Sequence, residues 1–378
     1  MSIPVIIISE QDSTSKLFES YIKELEHLKF FASTFDFDKA YNAIKELSKV
    51  LVIVDISHYQ ELALNFVSKI TSEFPLSRVL VASEKQDVDL VIRTLRVGAG
   101  DFIPMPLIKQ DFINSVKKIY NDLTGNKQKK SKCRVISCYS NKGGVGKTSI
   151  ASNLAYELAK ITKENVALID LNFQFGDITT FLDLKPSFNI SYLLENIDNV
   201  NEGFVLAAME KYKDTSLYVL ADAPFGTQNE KTFINDISRL FSALRNTFSY
   251  VIVDMSAGVD KKNIKILENS DLILLIAIVN LPSLRNCQRC IEMLEQTSID
   301  RSKINIVVNR YMENDEISSD EVESVLGKNL YWKVPNNYFT MMSAINKGEP
   351  ASVVNPDSNV ALSYKNLALK VSDSVYRQ

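Results

Sequence analysis

The sequence has few of the residues on which disulfide-rich proteins and histidine-dependent enzymes rely. Its 378 residues include four cysteines and two histidines. So few cysteines exclude a disulfide framework as the organising principle of the fold and indicate a reducing compartment. With only His27 and His58 available, a histidine-rich zinc site or a Ser-His-Asp active site has almost no side chains from which to form.

Long apolar runs, targeting signals and an excess of charge of one sign are also missing. The longest apolar run, Leu272–Val279, is far shorter than the ~20 residues that span a bilayer, so we expect no transmembrane helix. The first residues lack the basic and apolar regions of a signal peptide. Lys and Arg number 43 and Asp and Glu 46, and the resulting net charge of −3 disfavours a dedicated nucleic-acid binder. We expect a globular, cytoplasmic protein.

Apolar strands alternate with amphipathic helices along the first 124 residues. Five such βα units predict an open parallel sheet with helices on both faces, which is a doubly wound α/β domain over residues 1–124. Its predicted strands are Pro4–Ser9, Lys29–Thr34, Val50–Ile56, Arg78–Ser83 and Asp101–Ile103.

A polar, lysine-rich stretch separates this block from a second, longer one. Residues 125–133 have no apolar periodicity and are interpreted as a basic linker. Residues 134–378 again alternate strands with helices, and near-continuous Val, Ile and Leu runs indicate strands buried on both faces. They predict a second doubly wound α/β domain, with strands at Arg134–Tyr139, Val166–Asp170, Leu217–Leu220, Tyr250–Met255, Asp271–Val279, Lys303–Val308 and Leu330–Val334.

A glycine-rich loop follows the first strand of this second domain and precedes a predicted helix at Thr148–Lys160. Glycines allow backbone N–H groups to converge on phosphate oxygens without obstruction by Cβ atoms. Lys147 can reach the β- and γ-phosphates, and the Thr148 hydroxyl can bind Mg²⁺. The pattern predicts a P-loop NTPase whose nucleotide-binding residues include Gly143, Gly144, Val145, Gly146, Lys147, Thr148 and Ser149.

Two aspartates end apolar strands of the same predicted sheet. Asp170 ends the strand at Val166–Asp170, and Asp254 lies near the end of Tyr250–Met255. The carboxyl ends of parallel strands share one edge of a sheet, so both carboxylates are expected beside the phosphates. We predict a Mg²⁺ site formed by Thr148, Asp170 and Asp254.

The loop departs from the ordinary phosphate-loop pattern in having Asn141 and a second lysine, Lys142. In this it resembles the deviant Walker A ATPases of the MinD/ParA class. The resemblance implies that the nucleotide is ATP and that ATP promotes a homodimer. It also implies that Lys142 reaches the partner's phosphates across that dimer.

One difference from this class bears on hydrolysis. Where the class has Asp-x-Asp in its switch, and the second Asp helps to position the attacking water, this sequence has Asp170-Leu-Asn172. An Asn side chain can orient a water molecule but cannot accept its proton. Since phosphoryl transfer depends on positioning and electrostatics, we expect good ATP binding and slow hydrolysis. The expected catalytic residues are Lys142, Lys147, Asp170 and Asn172.

The resemblance also implies where the base of the nucleotide binds. Asn309 would pair with the adenine edge, since a side-chain amide offers one donor and one acceptor together. Arg310 adjoins it, and Pro335 and Asn336 would line the other side of the adenine.

Further segments of the second domain, among them Asp170–Asp177 and Phe181–Pro186, are similar to the TadZ/CpaE pilus-assembly branch of the class. That branch carries an N-terminal receiver-like domain, so the resemblance covers nearly the whole chain and implies a flavodoxin-like first domain. It also implies a role in localising or assembling a Tad-type (type IVb) pilus machine. The protein would then lie at a cell pole and near the membrane through its partners, the pilus components.

The first domain lacks one of the residues that a receiver domain needs in order to be phosphorylated. Asp55 occupies the phospho-acceptor position and Ser83 that of the hydroxyl residue, but the expected lysine is replaced by Met105. Without that lysine no cation pairs with a phosphoryl group. We expect a pseudo-receiver used for docking or dimerisation, with the phospho-acceptor position unused.

Other functions stay open on the sequence alone. A DNA-partition or MinD-type positioning ATPase, a phosphorylation-controlled response regulator and a metabolic enzyme share parts of the pattern. The net charge disfavours DNA binding, Met105 disfavours phosphorylation, and no second set of catalytic groups indicates a metabolic reaction. The C-terminal helix predicted at Val360–Tyr376 lacks the basic and bulky apolar faces of a membrane-binding helix, so no direct membrane insertion is expected.

Overall fold

The chain forms two compact units. The structure is a computed structural model that describes residues 2–47, 49–85, 87–124, 133–172, 176–197, 200–222 and 230–376. The first unit comprises Met1–Lys130 together with Asp198–Ala207, and the second comprises Ser131–Ile197 together with Ala208–Gln378. The predicted linker at 125–133 lies, apart from Cys133, outside the described residues.

The first unit contains a five-stranded parallel sheet. Its order is β2-β1-β3-β4-β5, and all five strands predicted from the sequence are present within two residues of their expected ends. The strands are β1 (Ile3–Ile8), β2 (Leu28–Thr34), β3 (Leu51–Asp55), β4 (Arg78–Ser83) and β5 (Asp101–Pro104). The helices between and after them are α1 (Asp12–Lys23), α2 (Phe37–Lys45), α3 (Gln60–Glu73), α4 (Val88–Arg96) and α5 (Lys109–Thr124).

Helices cover both faces of this sheet, and the strands bury side chains on each. Along β1, Val5 and Ile7 enter one core cluster, whereas Ile6 and Ile8 enter the other. Alternate side chains of a strand point to opposite faces, so an uninterrupted apolar run is the pattern that a sheet covered on both sides needs.

The second unit contains an eight-stranded sheet. Its order is β13-β12-β11-β6-β10-β7-β9-β8, and every neighbouring pair is parallel except β8 with β9. The strands are β6 (Arg134–Tyr139), β7 (Val166–Leu171), β8 (Glu210–Lys211), β9 (Leu217–Leu220), β10 (Tyr250–Met255), β11 (Leu272–Ile278), β12 (Ile304–Tyr311) and β13 (Leu330–Pro335).

The described part of the chain after β6 contains further helices, of which α9 belongs to the first unit, and a 3-10 turn at Arg301–Lys303 precedes β12. Within the described ranges, none of the helices is long and apolar enough to act as a transmembrane segment. The helices are α6 (Lys147–Thr162), α7 (Ile178–Phe181), α8 (Ile190–Glu195), α9 (Glu202–Ala207), α10 (Glu230–Thr247), α11 (Lys261–Glu268), α12 (Leu281–Glu295), α13 (Ser319–Leu326), α14 (Tyr338–Lys347), α15 (Ala351–Val354) and α16 (Asn359–Tyr376).

The C-terminal helix belongs to the core of the second unit. α16 packs against α6, and its residues Val360, Tyr364, Leu367 and Val371 are buried in the same cluster as the apolar side of α6. The apolar face of α16 is therefore already covered by the protein itself.

The position of β6 explains where the glycine loop lies. β6 is hydrogen-bonded to β10 on one side and to β11 on the other, and β7 follows beyond β10. The loop between β6 and α6 therefore leaves the middle of the sheet at its carboxyl edge. In open parallel sheets this edge is where ligands bind.

The sequence did not predict two features of the second unit. The short strand β8 has only two residues, Glu210 and Lys211, and no apolar pattern that would mark it as a strand. β12 continues to Tyr311, three residues beyond its predicted end, because it keeps pairing with β13.

A third unpredicted feature is that Asp198–Ala207, which follow part of the second unit in the chain, belong to the first unit. Asn201 accepts a hydrogen bond from Phe204 N at 2.9 Å and donates from Nδ2 to Leu95 O, in α4, at 3.2 Å. Gly203 lies so close to Leu95 that a Cβ atom would come within 3.1 Å of Leu95 Cδ2. Phe204 is buried. α9 is therefore an integral part of the first unit.

Replacement of Asn201 is expected to loosen this attachment. Asn201→Ala removes the N-cap of α9 and the bond to Leu95 O, at a cost of about 1–2 kcal/mol. Amide hydrogen exchange over α4 and α9 should therefore become faster. Asn189→Ala is the matched control, because Asn189 caps α8 in the second unit through the same kind of bonds. Equal exchange in α4 for both variants would contradict the role of Asn201.

Candidate nucleotide-binding site

The glycine loop has a conformation that requires glycine at one position above all. Gly144 and Gly146 have φ angles of +75° and +95°, in the left-handed region. A Cβ atom on Gly146 would lie 2.2 Å from Asn309 Nδ2, whereas a Cβ atom on Gly143 would meet no atom within 4 Å. Gly146 is therefore fixed both by its backbone angle and by a close neighbour.

Asn309 and Arg310, at the end of β12, hold the loop in place. Asn309 Nδ2 donates to Val145 O at 2.8 Å, and Arg310 Nη2 donates to Gly144 O at 3.2 Å. Asn309 Oδ1 accepts from Arg310 N at 2.9 Å. Two loop carbonyls that would repel an anion are thus bound to protein donors. Asn309, expected from the resemblance to bind the base, has this additional role, which the sequence did not suggest.

Asp254 lies fully buried directly behind the loop. Thr148 Oγ1 donates to Asp254 Oδ2 at 2.6 Å. Burial raises the pKa of Asp254 to about 7, and Asp177 acts in the same direction, whereas Thr148 and Lys147 oppose the shift. Burial of the Lys147 side chain lowers its pKa from the ordinary value.

One oxygen of Asp254 indicates how a metal ion would fit. Asp254 Oδ1 is buried and has no hydrogen-bond partner among the described residues, and such a group normally has one. A magnesium ion, or water bound to it, beside the Thr148 hydroxyl would satisfy this oxygen. Mg²⁺ commonly uses one or two protein oxygens and the phosphates of its nucleotide. This agrees with the finding that the described side chains contain no cluster of three or more His, Cys, Asp or Glu that could hold a metal ion alone.

Asp170 accepts hydrogen bonds from two backbone N–H groups that follow β7 in the chain. Its Oδ1 accepts from Asn172 N at 3.1 Å, and its Oδ2 accepts from Ile178 N at 3.2 Å. Asp170 is buried, and burial raises its pKa well above its ordinary value, with Asp254 and Asp222 adding to the effect. Residues 173–175 lie outside the described residues.

Two further acidic residues near the loop were not predicted as site residues. Asp177 lines the cavity beside the glycine loop. Asp222, two residues after β9, accepts from Gly176 N at 3.3 Å through Oδ2. The signal that could have identified Asp222 is the one used for Asp170 and Asp254, an aspartate at the carboxyl end of a buried strand.

Two adjoining cavities lie at this edge of the sheet. The first has a volume of about 500 Å³ and the second about 350 Å³. Residues that line both are Gly146, Ser149, Arg310 and Ile345. The first cavity has polar and charged walls near the loop, and the second is bordered by α14 and α16.

The structure brings most of the predicted site residues to these cavities. Val145, Asp170 and Asp254 are buried behind the walls. Lys142 lines neither cavity, and its backbone N donates to Ser140 Oγ at 3.3 Å. The predicted residues that line the first cavity are Gly143, Gly144, Gly146, Lys147, Thr148, Ser149, Asn172 and Arg310. Those that line the second include Asn309, Arg310, Pro335 and Asn336.

Gly146→Ala is expected to destabilise the nucleotide-free protein. The left-handed φ costs an alanine about 1–2 kcal/mol, and displacement of Asn309 adds to this. The thermal unfolding midpoint should fall clearly. Gly143→Ala is the control, because its Cβ atom meets open space, and it should leave the midpoint of the nucleotide-free protein nearly unchanged. Equal effects of the two variants would contradict the close approach to Asn309.

Asp254 is expected to make the stability of the nucleotide-free protein depend on pH. A carboxyl group with a pKa of about 4 when unfolded and about 7 when folded favours the folded state below pH 4 and loses that contribution as the pH rises through 7. Asp254→Asn should therefore unfold at a higher temperature than the wild type at pH 8, with a smaller difference at pH 5.

Asp183→Asn, at an exposed position, is the control for this pH dependence. The difference between its unfolding temperature and that of the wild type should be the same at pH 5 and at pH 8. A wild-type protein whose stability relative to Asp254→Asn is constant from pH 5 to pH 8 would contradict the assignment.

Sequence comparison relates the second unit to known proteins. Residues 133–307 match the family described as AAA domain. The septum site-determining protein MinD of Thermotoga maritima is 27% identical over 242 residues, which are 63% of this chain and 87% of that protein. MinD of Bacillus subtilis is 27% identical over 240 residues, 61% of this chain and 86% of that protein.

Solved structures share the fold of this unit. A ParA family ATPase from Chlorobium tepidum superposes with a TM-score of 0.58 at 24% identity, covering 62% of this chain and 98% of that one. MinD from Pyrococcus horikoshii, solved in complex with Mg-ADP, gives 0.54 at 19% identity and covers 63% and 96%. Together with the glycine loop and its buried aspartates, these similarities support a P-loop fold of the MinD/ParA type for the second unit.

Proposed function

We propose that the protein binds Mg·ATP with the phosphates in the first cavity and the adenine in the second. The observation that carries this proposal is the Thr148–Asp254 pair behind the glycine loop, with one buried carboxylate oxygen left for a metal ion or its water. The Mg-ADP bound to MinD from Pyrococcus horikoshii supports the choice of ligand.

ATP promotes a homodimer in this proposal. Lys142 follows β6 beside the loop but lines neither cavity, which leaves it available to a second copy of the chain. In the dimer, Lys142 from each copy, with Lys147 and Mg²⁺, neutralises phosphate charge that would otherwise repel the two faces. Hydrolysis is slow because Asn172 stands where the class has an aspartate.

The first unit serves as a docking or dimerisation module related to receiver domains. Its strand order is that of flavodoxin-like sheets. Ser9 Oγ donates to Asp55 Oδ2 at 2.8 Å, and Ser57 donates to Asp55 Oδ1 from N at 3.0 Å and from Oγ at 2.6 Å. Both oxygens of the phospho-acceptor position are thus occupied by neutral donors, and Met105 replaces the expected lysine, which supports a receiver that is not phosphorylated.

The protein acts as a scaffold that positions a Tad-type pilus machine, in the cytoplasm and at a cell pole. The combination of a receiver-like first unit with a MinD/ParA-type second unit supports this assignment, as do the segments after β7 that are similar to the TadZ/CpaE branch. Contact with the membrane would come through pilus components.

A MinD-type positioning cycle is the second candidate. The relatives of this chain that are named as septum site-determining proteins favour it. The burial of the apolar face of α16 against α6 favours the scaffold, because that face is not available to a bilayer in this arrangement.

Purified full-length protein is expected to bind ATP with Mg²⁺ and to change from monomer to dimer when ATP replaces ADP, as measured by light scattering. Lys147→Ala should lose at least about tenfold in ATP affinity, since one charge-assisted contact is worth about 1.5–3 kcal/mol. Lys142→Ala should bind ATP and remain monomeric. Lys365→Ala, an exposed lysine of α16, should behave as the wild type.

Two results would contradict this part of the proposal. One is an ATP-bound dimer that forms equally well with Lys142→Ala. The other is a turnover number typical of ordinary enzymes, on the order of 10 per second. In host cells, a polar focus that persists without other pilus proteins supports the scaffold, whereas a nucleoid-wide or oscillating pattern that Lys147→Ala abolishes supports the positioning cycle and overturns the pilus assignment.

A further inference from the structure

The first cavity contains a carboxylate that neither the phosphate loop nor the metal site explains. Asp177 lines this cavity together with Lys147 and Thr148. Asn172, at the position of the expected second switch aspartate, lines the same cavity but carries no charge. A carboxylate in direct contact with phosphates would repel them, so the position of Asp177 suits a role that acts through water.

Helix capping does not account for Asp177. It directly precedes α7, where an aspartate ordinarily accepts hydrogen bonds from the N–H groups of the first turn. Its carbonyl accepts from Phe181 N at 2.9 Å and so begins the helix, but its carboxylate makes no capping bond. The side chain is solvent-exposed and belongs to the cavity wall.

The backbone on each side of Asp177 is fixed by another carboxylate. Gly176 N donates to Asp222 Oδ2 at 3.3 Å, and Ile178 N donates to Asp170 Oδ2 at 3.2 Å. A Cβ atom on Gly176 would lie 2.6 Å from Asp222 Cβ and 2.7 Å from Asp170 Oδ2, so only glycine fits there. The carboxylates at the ends of β7 and β9 therefore hold the backbone of Asp177 in one position in the cavity wall. A group that orients a reactant needs such a fixed position.

We propose that Asp177 is a catalytic residue that accepts a hydrogen bond from the water attacking the terminal phosphate, so that hydrolysis is slow rather than absent although Asn172 cannot accept the proton. Asp170 and Asp222 act as positioning residues for it. This inference rests on the proposed function, because it assigns a role within the hydrolysis of ATP.

The step is an in-line displacement by water. The water oxygen forms a bond to the terminal phosphorus, while the bond between that phosphorus and the β–γ bridging oxygen breaks and ADP leaves with the electron pair. The proton lost by the water passes to Asp177 and from there to the released phosphate.

The test compares full-length variants by single-turnover ATP hydrolysis and by equilibrium ATP binding. Asp177→Asn should hydrolyse ATP about 100-fold more slowly, the scale of a lost proton acceptor, with its Kd for ATP within about threefold of the wild type. Asp183→Asn is the matched control, an exposed aspartate six residues later that lines neither cavity, and both of its values should match the wild type.

A rescue variant separates a catalytic role from damage to the fold. Asn172→Asp combined with Asp177→Asn returns a carboxylate to the same cavity. This double variant should hydrolyse ATP at least tenfold faster than Asp177→Asn alone. The inference is overturned if Asp177→Asn hydrolyses ATP within twofold of the wild type, if its rate and affinity fall in parallel, or if the double variant is no faster. Wild-type protein that binds ATP without hydrolysing it overturns this inference alone, and wild-type protein that binds no ATP overturns the proposed function as well.

Discussion

The arrangement of the nucleotide site depends on the approach of Gly146 to Asn309, where no atom heavier than hydrogen could be added to the glycine. This contact joins the end of β12 to the loop after β6, although β11 lies between those strands in the sheet. At this contact the Asn309 side-chain amide donates to Val145 O, and the next residue, Arg310, lines both cavities. The two cavities that are proposed to hold the phosphates and the adenine therefore meet at one junction, which links residues that are more than 160 positions apart.

Two carboxyl groups lie buried behind this junction before any ligand binds. Asp170 and Asp254 are buried at the ends of neighbouring strands, and burial raises the pKa of each. Ionisation of both groups is unfavourable in the empty site, and a divalent cation would stabilise their charged forms directly. Mg²⁺ therefore has two roles in the proposed cycle, since it neutralises the phosphates and satisfies carboxylates that the fold has already removed from water.

Much of the second unit could be predicted because its signals are local. The glycine loop, the strand before it and the aspartates that end β7 and β10 are each visible in a short stretch of sequence. Asn309 as a support of the loop and Asp222 as a support of Gly176 were not predicted, because each depends on residues far apart in the chain. The two-residue strand β8 was not predicted, because it has no apolar pattern. The strands of the first unit were also predicted, since apolar runs are local, whereas the attachment of α9 to α4 has no local signature at all.

The return of residues 198–207 gives the chain an interleaved order, in which the first unit is built from two separate stretches of sequence. A fragment that ends at the lysine-rich segment therefore lacks α9, and a fragment that starts there carries α9 without the surface on which Asn201 and Phe204 are held. Neither unit is a simple module that could have been joined to the other end to end. A recombination event that exchanged one unit for a foreign one would have to replace both stretches together, so the two units are expected to have been inherited as a pair.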